Sequence, residues 1–135
     1  MALFPEKMMA KQSSGLMTLE VIASRLDYFE AQVQLVHWQT PSHAEHSALN
    51  FYDTVHDFKD DVMERLMGYM GQKVKAFKRE PVTDNMPASR IVMEVSQFAY
   101  KLGEWAESNG YCDVKNISDT LSGEAAKTLY LLTQS

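Results

Sequence analysis

The chain of 135 residues is long enough for one domain with its own core and too short for two; its 45% hydrophobic content and 23% charged residues are ordinary for a soluble globular protein. A formal net charge of -5 argues against a surface made to coat nucleic acid, and no apolar run reaches the length that crosses a bilayer. The single cysteine, Cys112, excludes an intrachain disulfide and a thiolate metal site, and is expected as a buried thiol.

The opening MALFPEKMMAKQSSG has neither a sustained apolar core nor a small-residue cleavage site, so it does not read as a signal peptide. The expectation is a flexible arm over residues 1–17, a bundle domain over 18–135 and a cytoplasmic setting. Lys7 and Lys11 are too sparse to make the arm a DNA-binding tail. Thr18 can cap a helix with Glu20 near its positive end, and Leu19, Ile22, Leu26, Phe29, Val33 and Val36 then recur every three or four residues to about Thr40. His37 lies one turn beyond Val33, on or beside the buried face. Its plain structural role is a core histidine satisfied by one hydrogen bond, and that of Trp38 is packing.

Pro41 stops this helix, and Ser42-His43-Ala44-Glu45 has the spacing of a capping box that opens a second one. Leu49, Tyr52, Val55, Val62, Met63, Leu66, Met67 and Met70 carry its apolar spacing to the Gly68/Gly71 region. Lys73, Lys75, Lys78 and Arg79 read as a solvated helix end. Glu80 to Pro87 reads as a connection crossing the end of a bundle. A third helix fits Ser89 to about Ser108, stopped by Asn109-Gly110, and a fourth fits Val114 to Leu132. No segment alternates with period two. The expected fold class is all-α, a ferritin-like four-helix bundle whose nine methionines fill irregular gaps.

All four histidines, His37, His43, His46 and His56, fall between His37 and Glu64. On one continuous helix, His46, Asp53, Asp60 and Glu64 lie within about 40° of one another around the axis, a polar stripe filled in by Asn50 and Asp57. A solvated acidic face is the simpler account of carboxylates alone, but imidazoles collected beside them form the ligand set of a non-haem iron, manganese or zinc site. Along that helix His46 and Glu64 are about 27 Å apart, too far to share an ion within one chain. Two copies paired antiparallel near Asp53 to Val55 bring His46 of one opposite Asp60 to Glu64 of the other. The arithmetic favours an interface site: His37 and His46 from one subunit, Asp60 and Glu64 from its partner. A competing intrasubunit centre would use Asp53-x-x-His56 with Glu30, Glu94 and Glu104, but the second Glu-x-x-His copy is missing. His43 and His56 read mainly as capping-turn and surface residues.

His37-Trp38 closing one helix, His46 opening the next and Asp60-x-x-x-Glu64-Arg65 further along resemble the signature of the Dps-type miniferritins. The stretches AEHSALNFYD and KTLYLLT are similar to small ferritin-like proteins encoded by tailed bacteriophages. The resemblance implies dimers assembled into a hollow shell, often of twelve subunits, with intersubunit ferroxidase sites. Ferrous iron would bind there and pass electrons to hydrogen peroxide or dioxygen, and ferric product would move to an interior mineral. It implies His37 and His46 as ligands from one subunit and Asp60 and Glu64 from the other, with Glu64 the bridging or strongest carboxylate. Asp53 is a further candidate, and Trp38 would pack beside the site and donate an electron. A register fixed on His46 selects Asp61 and then Arg65, which cannot ligate; Asp60 and Glu64, one turn apart on one face, are preferred. A second reading, of another class, is a non-catalytic helical assembly protein that keeps the fold with an incomplete metal site.

Overall fold

The computed structural model describes residues 17–134, so all but the last residue of the arm expected over 1–17, with its flexibility and its reading as a non-leader, lies outside the described residues. Four long helices and one short one account for the regular structure: α1 (Leu19–Gln39), α2 (His43–Ala48), α3 (Phe51–Met70), α4 (Ala88–Ser108) and α5 (Cys112–Leu132). Thr18 caps α1 as expected, its hydroxyl accepting from the Val21 amide at 3.1 Å. Gly71, at φ 62, ends α3 by donating its N–H to the Met67 carbonyl at 3.0 Å. Gly110, at φ 78, lets the chain reverse between α4 and α5, with the Tyr111 amide reaching back to Ala106 at 2.8 Å.

The expected second helix is two helices. At Leu49 and Asn50 the backbone leaves the regular helix, and the amides of Asn50, Tyr52 and Asp53 bond carbonyls three residues back instead of four. Leu49 is fully buried at this tightened turn, so core packing selects the bend that no glycine or proline announces. The stripe from His46 to Glu64 is therefore broken after residue 48: Asp53, Asp57, Asp60 and Glu64 share α3, and His46 sits on α2 with its own direction.

Side-chain pairs fix the topology. Asp27 and Glu30 meet Lys59, while His37 meets Tyr52, so α1 and α3 run antiparallel. Arg65 meets Asp113, which sets α5 against α3, and Phe29 packs edge-on to Phe98 at 5.6 Å, which joins α1 to α4. Each long helix thus has two long neighbours around a core of Ile22, Leu26, Phe29, Leu49, Leu66, Ile91 and Leu102, all fully buried. Since α3 and α4 run in the same direction, the link between them must travel the length of the bundle. One such long crossover is the connectivity of ferritin-like folds.

That link, residues 72–87, lies along α1 rather than across an end of the bundle. Its contacts climb α1 in order: the Lys75 amide donates to Glu20, Ser24 to the Lys78 carbonyl, and Arg25 pairs with Glu80. Gln32, fully buried, exchanges two bonds with the Thr83 backbone at 2.7 and 2.9 Å, and Gln39 holds Asp84 and the Asn85 amide. Lys73, Lys75, Lys78 and Arg79 are therefore an exposed part of this strap and not a helix end. Among the described residues, no helix is long and apolar enough to cross a membrane.

Candidate metal centre

His37 occupies the last turn of α1 and His46 the last turn of α2, and the turn at Pro41 folds the second back onto the first. Their rings stack with centroids 3.8 Å apart and planes within 17°. Each ring bonds the other's main chain: His37 Nδ1 donates to the His46 carbonyl at 2.6 Å, and His46 Nδ1 donates to the His37 carbonyl at 2.8 Å. A carbonyl can only accept, so both Nδ1 atoms must carry hydrogen, and in the neutral rings both Nε2 atoms keep a lone pair. Histidine ligands are commonly oriented in this way, by a carbonyl on the ring nitrogen that the metal does not use. His37 is buried at 6% exposure and His46 is exposed, so the pair spans from the interior to the surface. The Tyr52 ring, 5.2 Å from His37, packs beside it from α3.

The turn that makes this pair is latched by a modified capping box. Ser42 Oγ accepts from the Glu45 amide at 3.2 Å as the box requires, but the Glu45 carboxylate does not return to the cap amide. It accepts instead from Thr40 Oγ1 at 2.7 Å, and Thr40 Oγ1 takes the Ser42 N–H at 3.2 Å. Thr40, Ser42 and Glu45 thus close a ring of bonds around Pro41.

The acidic residues divide into used and unused groups. Asp61 is bound to Arg65 at 2.7 Å, and the same guanidinium reaches Asp113 at 2.6 Å, which also accepts from the Tyr69 hydroxyl. The bonds from Tyr69 and then Arg65 hold the Asp113 carboxyl below its ordinary value, and the bonds to Asp61 and then Asp113 keep Arg65 firmly charged. Asp53, Asp60 and Glu64 are exposed and have no ion-pair or hydrogen-bond partner for their side chains among the described residues. Asp53 also lies in the first turn of α3, where its charge suits the helix end. Among the described residues, no three of His, Cys, Asp and Glu gather into a metal-holding group. The chain brings His37 and His46 together and does not bring Asp53, Asp60 or Glu64 to them.

The competing intrasubunit set is partly assembled. His56, an exposed residue of α3, bonds Glu30 at 2.9 Å, but Lys59 stands at 2.8 Å from Glu30 and 3.1 Å from Asp27. Burial works against the Lys59 charge, and the bonds to Glu30 and Asp27 outweigh it, holding the ammonium above its ordinary value. Glu94 pairs with Arg90 on its own helix and Glu104 is exposed, so neither joins Glu30 in such a group. Trp38 does not pack in the core; it is 66% exposed, at the wall of a surface cavity shared with Asp27, Glu30 and Arg79. Cys112 is exposed at the start of α5, a correction to the buried thiol that cysteine statistics favour.

Sequence reasoning missed Thr40, Tyr52 and Lys59. Thr40 beside a proline and Tyr52 at helical spacing both read as ordinary structural residues, and Lys59, 32 residues from its partner Asp27, carries no local signal. Compared with known proteins, residues 37–132 match a family described as a family of unknown function, DUF5856. No curated protein and no solved structure matches the chain.

Proposed function

We propose that this chain, which belongs to the DUF5856 family, is a miniferritin-like ferroxidase whose sites form between two subunits. The observation that carries this reading is the reciprocal locking of His37 and His46 by each other's carbonyls, which orients two Nε2 lone pairs, one on a buried ring and one on an exposed ring. Exposed, unpartnered Asp60 and Glu64 on α3 supply the hard oxygen ligands that Fe(II) needs beside imidazole. Since these two sets do not meet in one chain, an antiparallel dimer joins His37 and His46 of one subunit to Asp60 and Glu64 of the other, with Asp53 near the two-fold axis. The donor set fits iron, and it also fits zinc or manganese.

Fe(II) is the substrate. Two ferrous ions give one electron each to hydrogen peroxide, which takes up two protons and leaves as water; dioxygen is the alternative acceptor. His37 and His46 bind iron in their neutral form, so binding and protonation compete at Nε2. Glu64 and Asp60 offset the charge that grows as Fe(II) becomes Fe(III). Exposed Trp38, the neighbour of His37 in sequence, gives an electron to a radical by-product in this reading. Dimers assemble into a shell, as a dodecamer in the fullest form of the reading, in which ferric product is stored. The protein works in the cytoplasm, that of a host cell if the chain is phage-encoded, without nucleic acid or membrane as a partner. In the second reading the chain is a helical assembly protein with an incomplete site, which the separation of histidines from acids within one chain favours.

Ferrous iron mixed with peroxide, followed by ferric absorbance, separates the two. His37→Ala and Glu64→Ala are expected to slow oxidation on the order of tenfold or more. Equal rates in all three proteins would leave the assembly reading. Light scattering should find roughly 185 kDa for twelve chains of 15.4 kDa, and a monomer would remove the proposed sites.

A further inference from the structure

We infer that Lys59 keeps divalent metal out of the α1–α3 interface, its ammonium standing where an ion held by Asp27, Glu30 and His56 would sit. Asp27 and Glu30 lie one turn apart on α1, and His56 and Lys59 one turn apart on α3, so the four side chains converge on one seam of the bundle. Glu30 is used on both oxygens: Oε2 accepts from His56 Nδ1 at 2.9 Å, and Oε1 faces Lys59 Nζ at 2.8 Å. Oε1 is buried, and the Lys59 ammonium is the close charge that compensates it among the described residues. Lys59 also reaches Asp27 Oδ1 at 3.1 Å, and Arg79 of the strap stands 3.6 Å from Oδ2.

Two carboxylates and an imidazole on adjacent helices are a ligand set for Zn²⁺, Co²⁺ or Fe²⁺. A surface cavity of about 350 Å³ between α1 and the strap borders Asp27 and Glu30. As they stand, no three of His, Cys, Asp and Glu among the described residues, these included, form a metal-holding group. A single positive charge that cannot exchange with solvent metal satisfies the carboxylates, and two of the ligands are withdrawn from competition. This inference stands apart from the intersubunit reading, because Asp27, Glu30 and His56 take no part in that site.

The test counts Co²⁺ bound per chain by equilibrium dialysis in the full-length wild type, Lys59→Gln and Lys59→Gln/His56→Ala. Lys59→Gln is expected to hold one Co²⁺ more than wild type, whatever number wild type holds, and to gain thermal midpoint with Co²⁺; the double variant should lose both gains. If Lys59→Gln binds no more than wild type, Lys59 is only a structural ion pair and the inference fails. Should Lys59→Gln fold only with Co²⁺, the inference is supported. His56→Ala alone, which keeps Lys59, should leave metal uptake at the wild-type number; a fall there would make the seam a native metal site and overturn the inference even if Lys59→Gln cannot be folded.

Discussion

At the scale of single residues, the contact that matters most joins two side chains to two backbone carbonyls. His37 and His46 could be picked from the sequence as imidazoles flanking a turn, but the stacking was not legible there, because it depends on the direction in which Pro41 returns the chain. The structure makes a spectroscopic prediction: ¹⁵N chemical shifts should show both neutral rings protonated at Nδ1, and an Nε2-protonated tautomer on either ring would remove the oriented lone pairs. Asp113 predicts a pH effect. Its carboxyl is depressed below 3.8 by bonds from Tyr69 and Arg65, so its contribution is present above that value and is lost as pH falls through the folded-state value. Asp113→Asn should lower the melting temperature at neutral pH, with the difference from wild type vanishing in acid. Gly103 tests packing. A methyl group there would meet Ser118 Cβ at 3.5 Å and Asp119 Oδ1 at 3.6 Å, ordinary contact distances, so Gly103→Ala should stabilise α4 by about 0.5–1 kcal/mol in thermal unfolding.

At the scale of elements, boundaries written in local chemistry were legible and those written in tertiary contacts were not. Thr18, Pro41, Gly71 and Gly110 each act within a few residues, and the helix limits follow them. The break at Leu49–Asn50 answers to burial of Leu49 across the core, and apolar spacing runs through it unchanged. The strap was legible as a connection, from its prolines and Asp84-Asn85, but its path along α1 rests on pairs such as Gln32 with Thr83, 51 residues apart. Gln32 is the fixed point of that path. Gln32→Ala removes both bonds and leaves a small cavity, softened by the solvent access of Thr83, and should cost about 1–2 kcal/mol. Hydrogen exchange at the Thr83 amide should accelerate in the same variant; unchanged protection would mean that the strap is held elsewhere.

At the scale of the whole molecule, the bundle separates the His37–His46 pair from Asp60 and Glu64, with His46 and both acids exposed. The imidazole pair is built by the α1–α2 turn, and Asp60 and Glu64 lie without side-chain partners on α3. Asp60 is preferred over Asp61 by helical phase, and Asp61 is paired with Arg65. The central claim is that one active site takes residues from two chains, and subunit mixing tests it most directly. His37→Ala and Glu64→Ala, each expected to be slowed on the order of tenfold or more alone, would be unfolded together and refolded as an equal mixture, and ferrous oxidation measured. Random pairing gives mixed dimers in half of the cases, each with one intact site and one doubly defective, so roughly a quarter of wild-type activity should return. A mixture as slow as its components would contradict a site shared between subunits.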